Sequence, residues 1–257
     1  MHDNQQEEAV TPALAVARAM RALHNGICIP NYEELLTHCY GRFLNGASIA
    51  VDVGANLGFH TRTLARFCRV IAFEPIPEQA AGLRQQFADR LHVEVREVAL
   101  GRIAGKQSFH HFPFGHGMSG LRPRGDQAET ARIIEVRVDT MDSQLAGLER
   151  LDYVKIDIEG GEIDCLLGGR QTIMRHRPFI SVEYGHLGYK PYGHAAETLF
   201  LTAQGFGYVI SDLFGNLIES HEEWGKICDL CYWDYFLVPH EKRQFWRAIL
   251  AKDVGIP

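Results

Sequence analysis

The sequence predicts an α/β protein with a doubly wound, Rossmann-like sheet that is mostly parallel and has an antiparallel last strand. Between residues 48 and 99, short apolar runs alternate with helical stretches, which is typical of parallel strands joined by helices. A turn punctuated by Gly54 and Gly58 follows the first apolar run. Strand and helix resume at 151–184, and a helix, strand, loop and strand at 195–238 suit an antiparallel final pair.

The individual elements follow from local patterns. Each predicted strand is a short apolar run, whereas each predicted helix has apolar residues spaced three or four positions apart. The predicted strands are 48–53, 69–74, 92–99, 151–157, 179–184, 207–212 and 235–238. The predicted helices are 57–67, 77–89, 162–175, 195–204 and 240–252.

Length and composition limit the class of protein. The chain has 257 residues, of which 46% are hydrophobic and 23% are charged, so it can bury a large core. Its net charge of −6 disfavours nucleic acid as a partner, because binding phosphates requires a basic face. We expect no membrane span, since no apolar run approaches about 20 residues. The polar start and six scattered cysteines favour a cytoplasmic location.

We divide the chain into a prefix and one main domain. Residues 1–46 are predicted to form a disordered tail, up to residue 11, followed by helices at 12–23 and 32–43. Residues 47–257 are predicted to form the α/β domain. The helical prefix could pack over the site or on the sheet, or could form a homo-oligomer contact, and the sequence leaves these alternatives open.

An insertion interrupts the α/β rhythm at about residues 104–138. Residues 106–112 and 132–138 both alternate in polarity, which predicts an antiparallel hairpin. The long connection between them contains the glycine-rich stretch 115–120. Because long loops in compact domains are usually functional, we expect this stretch to close over a ligand.

The turn after the first strand has the chemistry of a nucleotide-cofactor site. It does not match the dinucleotide pattern G-x-G-x-x-G, because Asn56 stands where the second glycine would be. Asp52, at the end of the strand, would repel a phosphate but suits a ligand with an ammonium and a sulfonium, such as S-adenosylmethionine. Glu74 ends the second strand, 20 residues after Gly54, which is where an acid binds ribose hydroxyls.

Four motifs follow one another along the chain: V-D-V-G-A-N-L-G-F-H-T at 51–61, A-F-E-P-I-P at 72–77, V-A-L-G at 98–101 and Y-V-K-I-D-I-E-G-G-E at 153–162. In this order they resemble the FkbM-type methyltransferase family. The resemblance implies the doubly wound methyltransferase sheet, S-adenosylmethionine as the cofactor, and methylation of hydroxyl groups of sugars and polyketides. The sequence departs from the family at Gly161, where alanine is common, and at His60, where tyrosine or another residue often stands.

We predict a cofactor site at the carboxyl ends of the first three strands. The glycine turn and the first turn of the following helix would hold the amino-acid end, and the second and third strands would hold the adenosine. The predicted cofactor-binding residues are Asp52, Gly54, Ala55, Asn56, Gly58, His60, Thr61, Glu74, Pro75, Ile76, Ala99 and Asp157.

The catalytic residues are expected on the fourth and fifth core strands, whose carboxyl ends meet at one cleft. We expect Asp157 to contact the methionine end of the cofactor and the acceptor hydroxyl, with Glu183 as its base or partner. Lys155 would orient Asp157 and stabilise the developing alkoxide. The predicted acceptor-binding residues are Met118, Ser119, Glu159, Tyr184 and His186.

Several alternatives remain at this point. Asp157 and Glu183 could share a divalent cation, although we do not favour a metal and predict no metal-ligating residues. An NAD(P)-linked oxidoreductase is the second enzymatic interpretation, and a non-catalytic scaffold or binding protein on the same fold is the third. The leading hypothesis is an S-adenosylmethionine-dependent O-methyltransferase with a small-molecule or glycan acceptor.

Overall fold

The computed structural model describes residues 10–26, 31–113, 118–123, 131–230 and 234–251. The two helices of the prefix are α1 (Pro12–Gly26) and α2 (Tyr32–Phe43). Asn31 caps α2, because its side-chain oxygen accepts a hydrogen bond from the backbone N–H of Glu34 at 3.2 Å. The tail predicted at the start of the chain lies, for residues 1–9, outside the described residues.

The main sheet contains eight strands: β1 Ile49–Val53, β2 Arg69–Phe73, β3 Val93–Arg96, β7 Tyr153–Ile156, β8 Phe179–Glu183, β9 Tyr208–Ser211, β10 Leu217–Ile218 and β11 Asp234–Pro239. Their order across the sheet is β10–β9–β11–β8–β7–β1–β2–β3. β1, β2, β3, β7 and β8 run parallel, whereas β11 is antiparallel to both β8 and β9. This arrangement confirms the predicted fold class, including the antiparallel last strand.

Helices cover both faces of this sheet. Beyond the prefix they are α3 Phe59–Leu64, α4 Pro77–Gln86, α5 Met141–Gln144, α6 Glu162–Gly168, α7 Arg170–His176, α8 His186–Tyr189, α9 Thr198–Gly205, α10 His221–Ile227 and α11 Arg243–Ala251. On one face, Val51, Ile156 and Val182 pack into a core that includes residues of α1, α6, α7, α9 and α10. On the other face, Ala50 and Tyr153 pack against residues of α2, α3 and α11.

The insertion forms a small second sheet. β5 (Gly105–His111) and β6 (Arg132–Asp139) pair antiparallel as predicted, and β4 (Ala99–Leu100) adds to β6 in parallel. Phe109 of β5 packs with Ile76 and Ala99, so the hairpin leans on the carboxyl edge of the main sheet. In the stretch 115–120, which we predicted to close over a ligand, residues 115–117 lie outside the described residues. Gly120 forms an isolated antiparallel β-bridge with His110.

Three predicted elements differ from the structure because of local backbone demands. The predicted strand 92–99 divides into β3 and β4, which belong to different sheets. The predicted helix 162–175 is interrupted at Gly169, whose φ of −106° and ψ of 12° are not helical, so it divides into α6 and α7. The predicted helix 57–67 is shorter, because Gly58 adopts a left-handed conformation and α3 begins after it.

Within the described part of the chain, none of the helices has the length and apolar character needed to cross a bilayer.

Candidate active site

A glycine turn joins the ends of three neighbouring strands. Gly54 has a φ of +84°, and a Cβ there would lie 1.9 Å from the carbonyl oxygen of Asp157, so only glycine fits. The N–H groups of Gly54 and Ala55 both donate to the carbonyl oxygen of Phe73 at 3.0 Å. The turn therefore holds the carboxyl ends of β1, β2 and β7 close together.

A cavity of about 640 Å³ opens at this edge of the sheet. Its size lies within the range of small-molecule sites. The glycine turn, the end of β2, β4, the β5–β6 hairpin, the end of β7 and α2 all contribute to its wall. The predicted site residues that line it are Gly54, Ala55, Asn56, His60, Glu74, Pro75, Ile76, Ala99, Ser119, Lys155, Asp157 and Glu159.

Glu74 lies at one end of this cavity with its carboxylate held from two sides. Its Oε2 accepts a hydrogen bond from the N–H of Asn56 at 2.8 Å, and its Oε1 accepts one from the N–H of Ile76 at 2.9 Å. Burial raises the pKa of Glu74 to about 7, although these two N–H groups act in the opposite direction. Each oxygen keeps a second lone pair, so the carboxylate can still accept hydrogen bonds from a pair of hydroxyls.

The predicted ligand contact of Asp52 needs correction. Its side chain is fully buried, and its Oδ2 accepts a hydrogen bond from the hydroxyl of Thr61 at 2.5 Å. Neither residue lines the cavity, and the same is true of Gly58. Asp52 and Thr61 therefore tie β1 to α3 beneath the site, where they support the residues that face a ligand.

Lys155 and Asp157 form an ion pair at the end of β7. The Nζ of Lys155 lies 2.9 Å from Oδ2 of Asp157, and the two side chains are 3% and 31% exposed. Burial alone would lower the pKa of Lys155, but the carboxylates of Asp157 and Asp52 outweigh it and raise the pKa. Lys155 therefore stays charged and presents Asp157 to the cavity in one orientation.

Carboxylates crowd together beside this pair. Asp157, Glu159 and Glu183 each offer a carboxylate oxygen, and these three atoms lie within 4.8 Å of one another. Asp234 pairs opposite Glu183 across β8 and β11. Burial, followed by the charges of Asp157 and Glu159, raises the pKa of Glu183 well above its usual range. We call these four residues the acid cluster, and their mutual repulsion favours a bound cation or proton.

His60 faces the cavity from the first turn of α3 and is held from below by the prefix. Its Nδ1 lies 2.7 Å from the hydroxyl of Tyr40, on α2. Burial and the nearby charge of Lys155 lower the pKa of His60 to about 2, so the ring is neutral. Glu33, also on α2, lines the cavity. We did not predict Tyr40 or Glu33, because the spacing of residues along α2 does not indicate which part of the sheet it covers.

The predicted acceptor-binding residues divide into two groups. Ser119 and Glu159 line the cavity, and the hydroxyl of Ser119 accepts a hydrogen bond from the N–H of Phe112 at 3.0 Å. Met118 and the catalytic candidate Glu183 are not part of the lining, although Glu183 adjoins Asp157 in the acid cluster. The side chain of His186 lies outside the described residues.

The prediction that Tyr184 contacts the acceptor also needs correction. Its ring is fully buried, with ring centroids 5.1 Å from those of Tyr189 and Trp224. Successive residues of a strand point to opposite faces. The side chain of Glu183 points toward the other carboxylates of the acid cluster, so that of Tyr184 points toward the core. Tyr184 stabilises the fold behind the site.

Comparison with known proteins shows which proteins this chain is similar to. The chain is 29% identical to the 2-O-methyltransferase NoeI of Sinorhizobium fredii over 154 residues, which cover 53% of this chain and 63% of that relative. It is 29% identical to the methyltransferase sdnD of Sordaria araneosa over 173 residues, which cover 53% of this chain and 67% of that protein. The match to NoeI therefore spans less than two thirds of that relative's length.

A solved structure of a methyltransferase FkbM from Methylobacillus flagellatus is similar with a TM-score of 0.47 and 15% identity, covering 87% of this chain and 59% of that chain. The model of the methyltransferase FkbM domain matches residues 52–210, which include the glycine turn, Glu74, the Lys155–Asp157 pair and Glu183. This chain therefore belongs to the FkbM methyltransferase family.

Proposed function

We propose that the protein is an S-adenosylmethionine-dependent O-methyltransferase whose acceptor is a hydroxyl group of a sugar, glycan or polyketide-like metabolite. One observation carries the proposal. A single cavity joins Glu74, an acid suited to a ribose, to the Lys155–Asp157 pair, which is suited to a charged reacting centre. The net charge of −6 supports a small-molecule or glycan acceptor rather than nucleic acid.

The residues of the cavity fit the proposed cofactor. Glu74 would accept hydrogen bonds from the ribose hydroxyls, since both of its oxygens are already fixed by N–H groups. Ile76 and Ala99 belong to an apolar cluster at the cavity wall, where an adenine ring would be shielded from water. Asn56, in a left-handed conformation with φ of +48°, stands in the turn where a dinucleotide site needs glycine. This difference argues against the oxidoreductase alternative.

The chemistry would follow from this arrangement. When bound, S-adenosylmethionine supplies a methyl group attached to a positively charged sulfur. Asp157 would border the methionine end and the acceptor, with its carboxylate oriented by Lys155. The Lys155 ammonium would stabilise negative charge on the acceptor oxygen as its proton leaves. The acid cluster would receive that proton through the carboxylate of Asp157, which faces the cavity beside Lys155. Positioning of the two reactants would supply most of the rate acceleration.

Transfer to oxygen is the finer part of the proposal. The name of the relative NoeI specifies 2-O-methylation, and the acid cluster offers acceptors for a hydroxyl proton. The structure of the methylated product identifies the atom that receives the methyl group.

Two measurements test the proposed function. Calorimetry should show binding of S-adenosylhomocysteine to the full-length protein, and incubation with methyl-labelled cofactor should transfer label to a member of a panel of sugars, glycolipids and polyketides. Binding of NAD(H) but not S-adenosylhomocysteine would favour the oxidoreductase. Cofactor binding without transfer to any hydroxyl compound would favour the scaffold alternative.

A further inference from the structure

The prefix helix α2 contributes a buried hydroxyl directly beneath the cavity. Tyr40 is fully buried, and its hydroxyl lies 2.7 Å from Nδ1 of His60. The two ring centroids are 6.1 Å apart, in an edge-on arrangement. Tyr40 precedes residues 52–210, the part of the chain that matches the family model. A residue outside the family domain therefore holds a residue that faces the cavity.

The position of the proton on His60 depends on the direction of the hydrogen bonds among the buried tyrosines. A buried hydroxyl needs an acceptor for its proton, and Nδ1 of His60 supplies one for Tyr40. Tyr153, which also interacts with Tyr40, has the hydroxyl of Ser181 at 2.6 Å. If Tyr40 donates to Nδ1, the neutral ring carries its own proton on Nε2. Since Nδ1 is occupied, Nε2 is the nitrogen that can serve a ligand in the cavity.

The surroundings of Nε2 favour a negatively charged partner. Lys155 lies close enough to lower the pKa of His60, so a cationic group and an N–H donor occur at the same end of the cavity. The acid cluster, whose Asp157 pairs with Lys155, would attract the ammonium of an amino acid. An amino-acid group would therefore be oriented with its carboxylate toward His60 and its ammonium toward the carboxylates.

We propose that Tyr40 is a positioning residue for the cofactor: it fixes His60 with its proton on Nε2, and His60 then donates a hydrogen bond to the carboxylate of the methionine end. This inference rests on the proposed function, because it assumes an adenosyl amino acid in the cavity. It assigns to the prefix a part in cofactor binding that the family domain alone does not contain.

Two ligands separate this role from a structural one. S-adenosylhomocysteine has the carboxylate, whereas its decarboxylated analogue keeps the adenosine, the thioether and the ammonium. By calorimetry, Tyr40→Phe should weaken the binding of S-adenosylhomocysteine about tenfold and leave the binding of the decarboxylated analogue within twofold. His60→Leu should do the same, and adding Tyr40→Phe to His60→Leu should cause no further loss.

The matched control is Tyr208→Phe, which removes another buried hydroxyl, one that donates to the carbonyl oxygen of Pro178 at 3.0 Å. It should leave the binding of both ligands unchanged, and thermal melting would verify that all variants fold. Nitrogen NMR of the histidine side chains should show the proton of His60 on Nε2 in the unchanged protein, and a shifted tautomer equilibrium in Tyr40→Phe. This signature needs no ligand, so it reports on Tyr40 even if a variant loses stability.

Three results would overturn the inference. The first is equal weakening of both ligands by Tyr40→Phe, which would indicate a general structural role. The second is unchanged binding of S-adenosylhomocysteine in that variant. The third is a His60 proton on Nδ1 in the unchanged protein. If S-adenosylhomocysteine does not bind the unchanged protein at all, the proposed function itself fails, which is a distinct outcome.

Discussion

The two ends of the cavity hold their carboxylates in opposite ways. At the end of β2, both oxygens of Glu74 accept hydrogen bonds from backbone N–H groups. At the ends of β7 and β8, the acid cluster crowds several carboxylates together, with Lys155 paired to Asp157. The first end is prepared for neutral hydroxyl donors, and the second is charged and favours a cation or a proton. Under the proposed function, this contrast would place the ribose at the first end and the reacting groups at the second.

The largest effect is expected at the charged end. Lys155→Met removes the ammonium that lies 2.9 Å from Asp157, and leaves the acid cluster without this counter-charge. We expect unfolding to become easier by about 3 kcal/mol, the lower part of the range for a broken buried pair, because Asp157 is partly exposed. Urea denaturation measures the change.

The matched control for that prediction is Lys106→Met. Lys106 also pairs with a glutamate, Glu135, at 2.6 Å, but both side chains are mostly exposed. Its loss should leave the free energy of unfolding nearly unchanged, because exposed ion pairs contribute little. Similar losses in the two variants would mean that the charged end does not depend on Lys155.

The next effect is expected at the neutral end. Glu74→Gln replaces one of two oxygens that accept from backbone N–H groups with an amide nitrogen, which can only donate, so the affinity for S-adenosylhomocysteine should fall about tenfold or more. Glu94→Gln, on the adjacent strand β3 and paired with Arg96 at 2.8 Å, is the control and should leave affinity unchanged. If calorimetry shows equal affinity for both variants, Glu74 does not bind the ribose.

A smaller effect, dependent on pH, is expected from Asp234. Burial, followed by the charge of Asp157, raises the pKa of Asp234 from 3.8 to about 7. In this window the folded state binds more protons than the unfolded state, so the contribution of Asp234 to stability is lost as pH rises from about 4 to about 7. Asp234→Asn stays neutral and should therefore be more stable than the unchanged protein at pH 8.

Urea denaturation at several pH values measures that difference, which should shrink as pH falls from 8 toward 4 because Asp234 then becomes protonated in the folded state. A variant that is less stable than the unchanged protein at pH 8 would show that the Asp234 carboxylate is compensated by its neighbours when ionised. Repulsion among the carboxylates of the acid cluster would then not destabilise the folded protein.

The smallest effect is expected from removing metal ions. Asp157, Glu159 and Glu183 are close enough to share one cation, but Lys155 already supplies positive charge at Asp157. Dialysis against a chelator should therefore change methyl transfer by less than twofold. Loss of transfer that magnesium or manganese restores would show that the charged end is a metal site.

Much of this molecule follows from local patterns in the sequence. The apolar runs predicted the main parallel strands, and the alternation around Lys106 and Arg132 predicted the β5–β6 hairpin. Glu74 was predicted to lie at the cofactor site, and it lines the cavity. Asp157 does so as well, at the end of β7. These features depend on short segments whose chemistry is visible in a few consecutive residues.

The failures depend on which way side chains point and on packing between distant segments. Asp52 is the penultimate residue of β1, and its buried carboxylate accepts a hydrogen bond from Thr61 of α3 instead of facing the cavity. Strand alternation could have shown that Tyr184 and Glu183 point to opposite faces. Tyr40 could not be found in this way, because only the packing of α2 on α3 brings it to His60.

The most direct test of the account is a crystal structure of the protein with S-adenosylhomocysteine. We expect the ribose hydroxyls within hydrogen-bond distance of Glu74, and the amino-acid end between His60 and Asp157. A ligand bound elsewhere, or bound with its ribose away from Glu74, would contradict the assignment of the two ends of the cavity.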